Sequence, residues 1–206
     1  MSGVPAIETI MRTAPVIPVI VVDDIAHAVP LAEALVAGGL PVLEVTLRTP
    51  AALAAIRAMR EVPGAIVGAG TVTGPRELDA ALEAGSAFVV SPGLTESLGR
   101  AAIASGIPFL PGIATAGDIM RGLDLGLTHF KFFPAVAAGG LPALKALAAP
   151  FGQCRFCPTG GIGAEDAAEW LAFAPVLCVG GSWVAPRGAP NTAEVTRLAR
   201  AAAALR

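Results

Sequence analysis

The stretch Val42-Leu43-Glu44-Val45-Thr46-Leu47-Arg48-Thr49-Pro50 decides the fold class. Its first six residues form an apolar run rich in β-branched side chains. Thr49-Pro50 then supplies a cap and first-turn pair for a helix. A strand leading directly into a helix is half of a βα unit. Along it Glu44, Thr46 and Arg48 occupy alternate positions and therefore share one face.

The same pattern recurs in both directions from this joint. Apolar runs begin at Val16, Ile66, Ala87, Phe109, Thr128, Arg155 and Val176, and Ala/Leu-rich helical segments fill the gaps. One of these is a helix over about 25–37 that ends at Gly38-Gly39, and another is opened by Pro75. Eight runs recur roughly every 19 to 27 residues, a spacing that suits βα units. Their nearly continuous apolar character predicts parallel strands covered on both sides. The expected fold is α/β: a single (β/α)8 TIM barrel formed by residues 1–206 as one domain. A doubly wound open sheet is the alternative, but no GxGxxG opens the first βα turn.

Function in such a barrel lies at the C-terminal strand ends, and the unusual residues of this sequence gather there. The runs end in Glu44-Val45-Thr46-Leu47-Arg48, Gly68-Ala69-Gly70-Thr71, Ser91-Pro92-Gly93, Pro111-Gly112, Pro158-Thr159-Gly160-Gly161 and Gly180-Gly181-Ser182. The remaining run, Thr128-His129-Phe130-Lys131-Phe132-Phe133-Pro134, places a lysine among aromatic residues. Lys131 and Lys145 are the chain's only lysines, and Lys145 sits in a helical run where a solvated tip is expected. Burial disfavours the ammonium form of Lys131, and a neutral amine can attack a ketone to form a Schiff base.

Glu44 and Lys131 are both charged residues in mid-strand, where burial without a partner is costly. They form either a structural ion pair or a Schiff-base lysine with a proton-carrying carboxylate. Arg48 is placed to offer a fork to a carboxylate or phosphate. The Gly-Gly turns after the last two strands suit backbone capture of phosphate, with Ser182 adding a hydroxyl. His129 shares Lys131's parity but lies deeper, as a core histidine, and His27 falls on a surface helix.

Composition narrows the function classes. The chain is 54% hydrophobic and 15% charged with a net charge of −2, which supplies no basic patch for nucleic acid. No apolar run of membrane-spanning length is free of Pro, Gly or charge. Glu8 and the interrupting prolines argue against a signal peptide. Cys154, Cys157 and Cys178 make no disulfide framework. The CxxC pair falls on opposite faces of a strand with no second pair beside it, so buried thiols are expected and no metal site. The expected location is cytoplasmic.

Six motifs together carry a family resemblance: VLEVTLRT (42–49), VGAGTV (67–72), SPGLT (91–95), FKFFP (130–134), RFCPTGGI (155–162) and VGGSW (179–183). In this order and over nearly the whole chain they resemble the bacterial 2-keto-3-deoxy-6-phosphogluconate (KDPG) aldolases, which also act on 4-hydroxy-2-oxoglutarate (KHG). The resemblance implies a class I aldolase, usually a homotrimer, with no metal or organic cofactor. Its partners would be a phosphorylated keto acid and pyruvate, with no nucleic acid and no membrane. It implies Lys131 as the Schiff-base lysine and Glu44 as the general acid/base. Arg48 and Thr71 would contact the pyruvate carboxylate, Pro92 and Phe133 would line the pocket, and Thr159 would bear on stereochemistry. Gly160, Gly161, Gly181 and Ser182 resemble the phosphate-binding set. Alternatives are an aldolase for the related phosphogalactonate and a non-catalytic phosphosugar-binding barrel.

Overall fold

The computed structural model describes residues 6–205; residues 1–5 and 206 of the expected domain lie outside this range. Parallel strands alternate with helices. The strands are β1 (Val16–Ile20), β2 (Val42–Thr46), β3 (Ile66–Gly70), β4 (Val89–Val90), β5 (Phe109–Leu110), β6 (Gly112–Ile113), β7 (His129–Phe132), β8 (Arg155–Pro158) and β9 (Val179–Gly181). The helices are α1 (Ile7–Thr13), α2 (Ala28–Ala37), α3 (Ala52–Met59), α4 (Pro75–Glu83), α5 (Glu96–Ser105), α6 (Ala116–Asp124), α7 (Gly140–Ala148), α8 (Ala167–Leu171) and α9 (Thr192–Ala203). A 3-10 turn over Ile25–His27 precedes α2, so the helix expected from Ile25 begins three residues later.

Six strands form a curled parallel sheet in the order β5-β4-β3-β2-β1-β9, and three form a second, β6-β7-β8. The fifth apolar run is thus two strands rather than one. Pro111 separates them, because it has no N–H to donate to a ladder; its carbonyl instead accepts from Lys131 N at 2.8 Å. At the other seam, parallel bridges join Phe156 to Val176 and Thr159 to Gly180.

Local chemistry explains where the helices start. Thr95 caps α5 by accepting from Leu98 N at 3.3 Å, and Gly106 ends it at φ 73°. Thr115 and Asp118 form a capping box on α6. Asn191 accepts from Glu194 N at 3.2 Å to open α9. Thr49, expected to cap α3, does something else: its hydroxyl donates to the Val22 carbonyl, and α3 starts at Ala52 without a side-chain cap.

Strand alternation divides the core in two. Val16, Ile20, Leu43, Val45, Phe130, Phe132 and Phe156 pack outward against the helices. Ile17, Val42, Phe88, Val90, Leu110, Cys157 and Cys178 pack together on the inner face with Ile10 and Met11 of α1. Helix α1, which had no counterpart in the sequence reading, therefore covers the end of the sheet where the strands begin. Cys154 and Cys157 fall in different clusters, as their opposite parity requires.

His129 is not a core histidine. Its ring is half-buried under α1, with Nε2 at 3.2 Å from Glu8 Oε2, ion-pair distance without hydrogen-bond alignment. Burial pushes its pKa below the ordinary imidazole value, against the raising field of Glu8. Lys145 is exposed on α7, its Nζ 5.9 Å from the Phe173 ring centroid.

Candidate active site

A cavity of about 720 Å³ opens at the C-terminal ends of the strands, opposite α1. Its wall is drawn from several strand ends, with the largest shares from β8 and β9. Arg48 comes from beyond β2, Thr71 from beyond β3, Pro92 from beyond β4, Phe133 from beyond β7, Thr159 to Ile162 from beyond β8, and Gly180 and Ser182 from β9 and just past it. Eight of the nine residues expected to bind substrate therefore line one cavity, Gly181 being the exception.

Glu44 and Lys131 lie beneath this wall rather than in it. Each is 3% exposed, two residues along its strand from Thr46 or Phe133. They meet across the inner face, with Lys131 Nζ donating to Glu44 Oε1 at 3.0 Å. Lys131 Nζ is also 5.3 Å from the centroid of the Phe133 ring, which does line the cavity. The pair is thus packed directly under an opening, and Gly70 makes the room: a Cβ there would overlap the Glu44 carboxylate. Of Glu44's neighbours on the same face, Thr46 is fully buried and its hydroxyl is used by the Ile20 carbonyl at 2.9 Å, a structural role.

Thr71 is the one non-glycine among the described residues with positive φ, at 61°. For a β-branched residue this conformation is strained, and it persists only where the surroundings impose it. Its hydroxyl accepts from Arg48 Nε at 3.2 Å, which leaves the two amino groups of the guanidinium facing away from that bond. Thr159 is 5% exposed, its Oγ1 3.8 Å from Cys157 Sγ. Gly180 lets it fit, since a Cβ at 180 would overlap the threonine side chain.

The last glycine pair divides by strand parity. Gly180 and Ser182 face the cavity, whereas Gly181 does not line it and has the Trp183 ring against its α-carbon. Gly160 and Gly161 both line the cavity with φ of 105° and 84°, a left-handed pair that only glycine adopts without strain.

Several lining residues were not anticipated. Val19 and Val21 continue the inner parity of Ile17, and Ala185, Pro186 and Arg187 come from the loop after β9. Arg187 pairs with Asp23 of the loop after β1, Nε–Oδ2 at 2.6 Å and Nη2–Oδ1 at 2.7 Å. The Arg187 guanidinium holds the Asp23 carboxyl below its usual range. Among the described residues no His/Cys/Asp/Glu group of three or more is gathered for a metal, and no helix is long and apolar enough to cross a membrane.

A lysine–carboxylate pair buried under a cavity at the C-terminal strand ends of a parallel α/β sheet is a site where an amine can react with a carbonyl substrate. Comparison with known proteins narrows it. The model of the KDPG and KHG aldolase family matches residues 7–200, and the chain belongs to that family. The 2-dehydro-3-deoxy-phosphogluconate aldolase of Zymomonas mobilis is 60% identical over 200 residues, covering 97% of this chain and 96% of the relative. The KHG/KDPG aldolase of Escherichia coli is 56% identical over 199 residues, covering 95% and 93%. Among solved structures, the Zymomonas mobilis aldolase with 3-phosphoglycerate superposes with a TM-score of 0.96 at 60% identity, over 97% of this chain and 96% of that one. The Legionella pneumophila KDPG aldolase, holding pyruvate as a covalent carbinolamine, gives 0.94 at 46% identity, over 97% and 99%.

Proposed function

We propose that this protein is a class I aldolase that reversibly cleaves 2-keto-3-deoxy-6-phosphogluconate to pyruvate and D-glyceraldehyde 3-phosphate, and also accepts 4-hydroxy-2-oxoglutarate. The observation that carries the reading is the Lys131–Glu44 hydrogen bond, 3.0 Å long and buried under the cavity. The names of the Zymomonas mobilis and Escherichia coli relatives support the substrates. The carbinolamine in the Legionella pneumophila enzyme supports the covalent route.

In the proposed mechanism, which the Lys131–Glu44 contact supports, the steps are these. Lys131 passes a proton to Glu44 and attacks the C2 carbonyl carbon, giving a carbinolamine. Glu44 returns the proton to the hydroxyl, which leaves as water, and an iminium remains. A base then takes the C4 hydroxyl proton, the C3–C4 bond breaks, and its electron pair moves into the iminium to form an enamine and the aldehyde. Glu44, directly or through a water, is that base and later protonates C3. Hydrolysis of the iminium releases pyruvate and regenerates Lys131. The iminium is the electron sink, Glu44 carries the protons and water releases the product, so the route calls for no metal or organic cofactor.

In this reading Arg48 and Thr71 hold the pyruvate carboxylate, Pro92 and Phe133 flank the reacting carbons, and Thr159 bears on the C4 hydroxyl. Gly160, Gly161 and Ser182 take the phosphate, with Gly181 contributing backbone. The two sheets constitute one closed (β/α)8 barrel as a single domain, a reading supported by the Thr159–Gly180 bridge and the continuity through Pro111. The protein works as a cytoplasmic homotrimer.

Borohydride reduction in the presence of pyruvate, followed by peptide mass mapping, tests the mechanism. A reduced pyruvyl adduct on Lys131 and none on Lys145 is expected. No adduct at saturating pyruvate would leave a non-catalytic phosphosugar-binding barrel in its place.

A further inference from the structure

Among the described residues, the charged residues that line the cavity are Arg48 and Arg187, and no carboxylate lines it. They lie on either side of β1: Arg48 towards Thr71 and β3, Arg187 towards the β8 and β9 loops that carry Gly160, Gly161 and Ser182. Asp23 engages Nε and one hydrogen of Nη2. A guanidinium has five N–H donors, so the Nη1 edge and the second Nη2 hydrogen remain. Gripped at two atoms, the planar fork is fixed in orientation before any ligand arrives. As a stabilising device the pair is weak, because the two side chains are 67% and 42% exposed. Its position on the cavity wall is therefore the feature that calls for a role.

We propose that Arg187 is a specificity-determining residue, whose free guanidinium edge receives the phosphate of a phosphorylated substrate beside Gly160, Gly161 and Ser182. Asp23 is its positioning residue. This rests on the aldolase reading above and deepens it, because it makes the discrimination between phosphorylated and unphosphorylated keto acids depend on an arginine in the loop after β9. The backbone N–H groups of a glycine turn are neutral donors; a guanidinium adds full charge to the same anion.

The test compares kcat/KM of the full chain for 2-keto-3-deoxy-6-phosphogluconate with that for unphosphorylated 2-keto-3-deoxygluconate. In Arg187→Ala the ratio of the two is expected to fall roughly 10- to 100-fold, the scale of one lost charged hydrogen-bonding contact. The loss should appear in KM for the phosphorylated substrate more than in kcat. Arg187→Lys should restore part of it. Asp23→Asn should lower the ratio in the wild-type background and have no effect when Arg187 is already alanine. Arg100→Ala, an exposed arginine paired with Glu96 on α5, controls for net charge and should leave the ratio where it was.

An equal loss on both substrates would overturn the proposal, since Arg187 would then only tie the β1 and β9 loops together. An unchanged ratio with active wild-type enzyme would overturn it and leave the aldolase reading standing. Failure of the wild-type protein to cleave the phosphorylated keto acid would overturn the aldolase reading, and this inference with it.

Discussion

Lys131 Nζ donates to Glu44 Oε1 at 3.0 Å across 87 residues of chain, and the two side chains are equally buried. Two consequences separate chemistry from stability. On the proposed mechanism Glu44→Gln keeps an oxygen acceptor but removes the proton carrier, so kcat should fall about 10²- to 10⁴-fold. Glu44→Ala leaves a buried ammonium without its partner, which costs about 3–5 kcal/mol. Urea denaturation of both variants beside steady-state kinetics checks the pair of expectations. A Gln variant that turned over like wild type would remove Glu44 from the mechanism.

Gly70 is small because the Glu44 carboxylate occupies the place of its Cβ. Gly70→Ala must push that carboxylate off Lys131. Overpacking of this kind costs about 1–3 kcal/mol, and the displaced base should lower kcat as well. Thermal unfolding together with the rate of pyruvate-dependent borohydride inactivation measures both. Gly126→Ala, at a positive φ of 78° with nothing near its missing Cβ, is the comparison: it strains the backbone and should spare the chemistry.

Thr71 stores strain at φ 61° while holding Arg48. Thr71→Gly relieves strain of about 1–3 kcal/mol against an added unfolded-state entropy cost of about 0.4–1 kcal/mol. The expected net is a stability gain of about 1 kcal/mol, accompanied by a higher KM for pyruvate in the condensation direction because Arg48 loses its anchor. A variant both less stable and normal in KM would mean that Thr71 is held there for packing alone.

His129 supplies the pH dependence of stability near neutrality. Burial depresses its folded-state pKa, so as pH falls the unfolded chain binds the proton first. The stabilisation is complete above the ordinary imidazole pKa of about 6.5 and is lost as pH falls below that towards the lower folded value, with a slope of at most about 1.4 kcal/mol per pH unit. His129→Asn should flatten Tm against pH between about 7.5 and 5.5. Glu8 opposes the shift, so Glu8→Gln should steepen the same curve.

What could be read from the sequence depended on how unusual each residue was in its setting. Glu44 and Lys131 stand out because charged residues do not occur in the middle of apolar strands without a reason. Arg48, Thr71 and the glycine turns follow from parity and strand ends. Arg187 does not stand out, because an arginine in a Pro/Gly-rich loop looks solvated until the fold brings Asp23 to it from 164 residues away. Helix α1 is legible only from Ile7, Ile10 and Met11, which have the spacing of one helical face but span barely two turns. Strand parity alone places His129 in the core; only α1 brings Glu8 over it. The break at Pro111 was legible in principle, since a proline inside a strand run removes one rung of the ladder. Alternation along the last strand puts Gly180 and Ser182 on the cavity side and leaves Gly181 to face away.

Helix α1 covers the floor with Ile10 and Met11, both essentially inaccessible, and the cavity opens at the other end. A vessel closed at the bottom fills and empties by the same route. The fragment seated nearest Lys131 is then the last to leave and, in the reverse direction, the first to arrive. Product inhibition should follow that order: pyruvate competes with the cleavable substrate for the empty enzyme, and the aldehyde acts against the enzyme already carrying pyruvate.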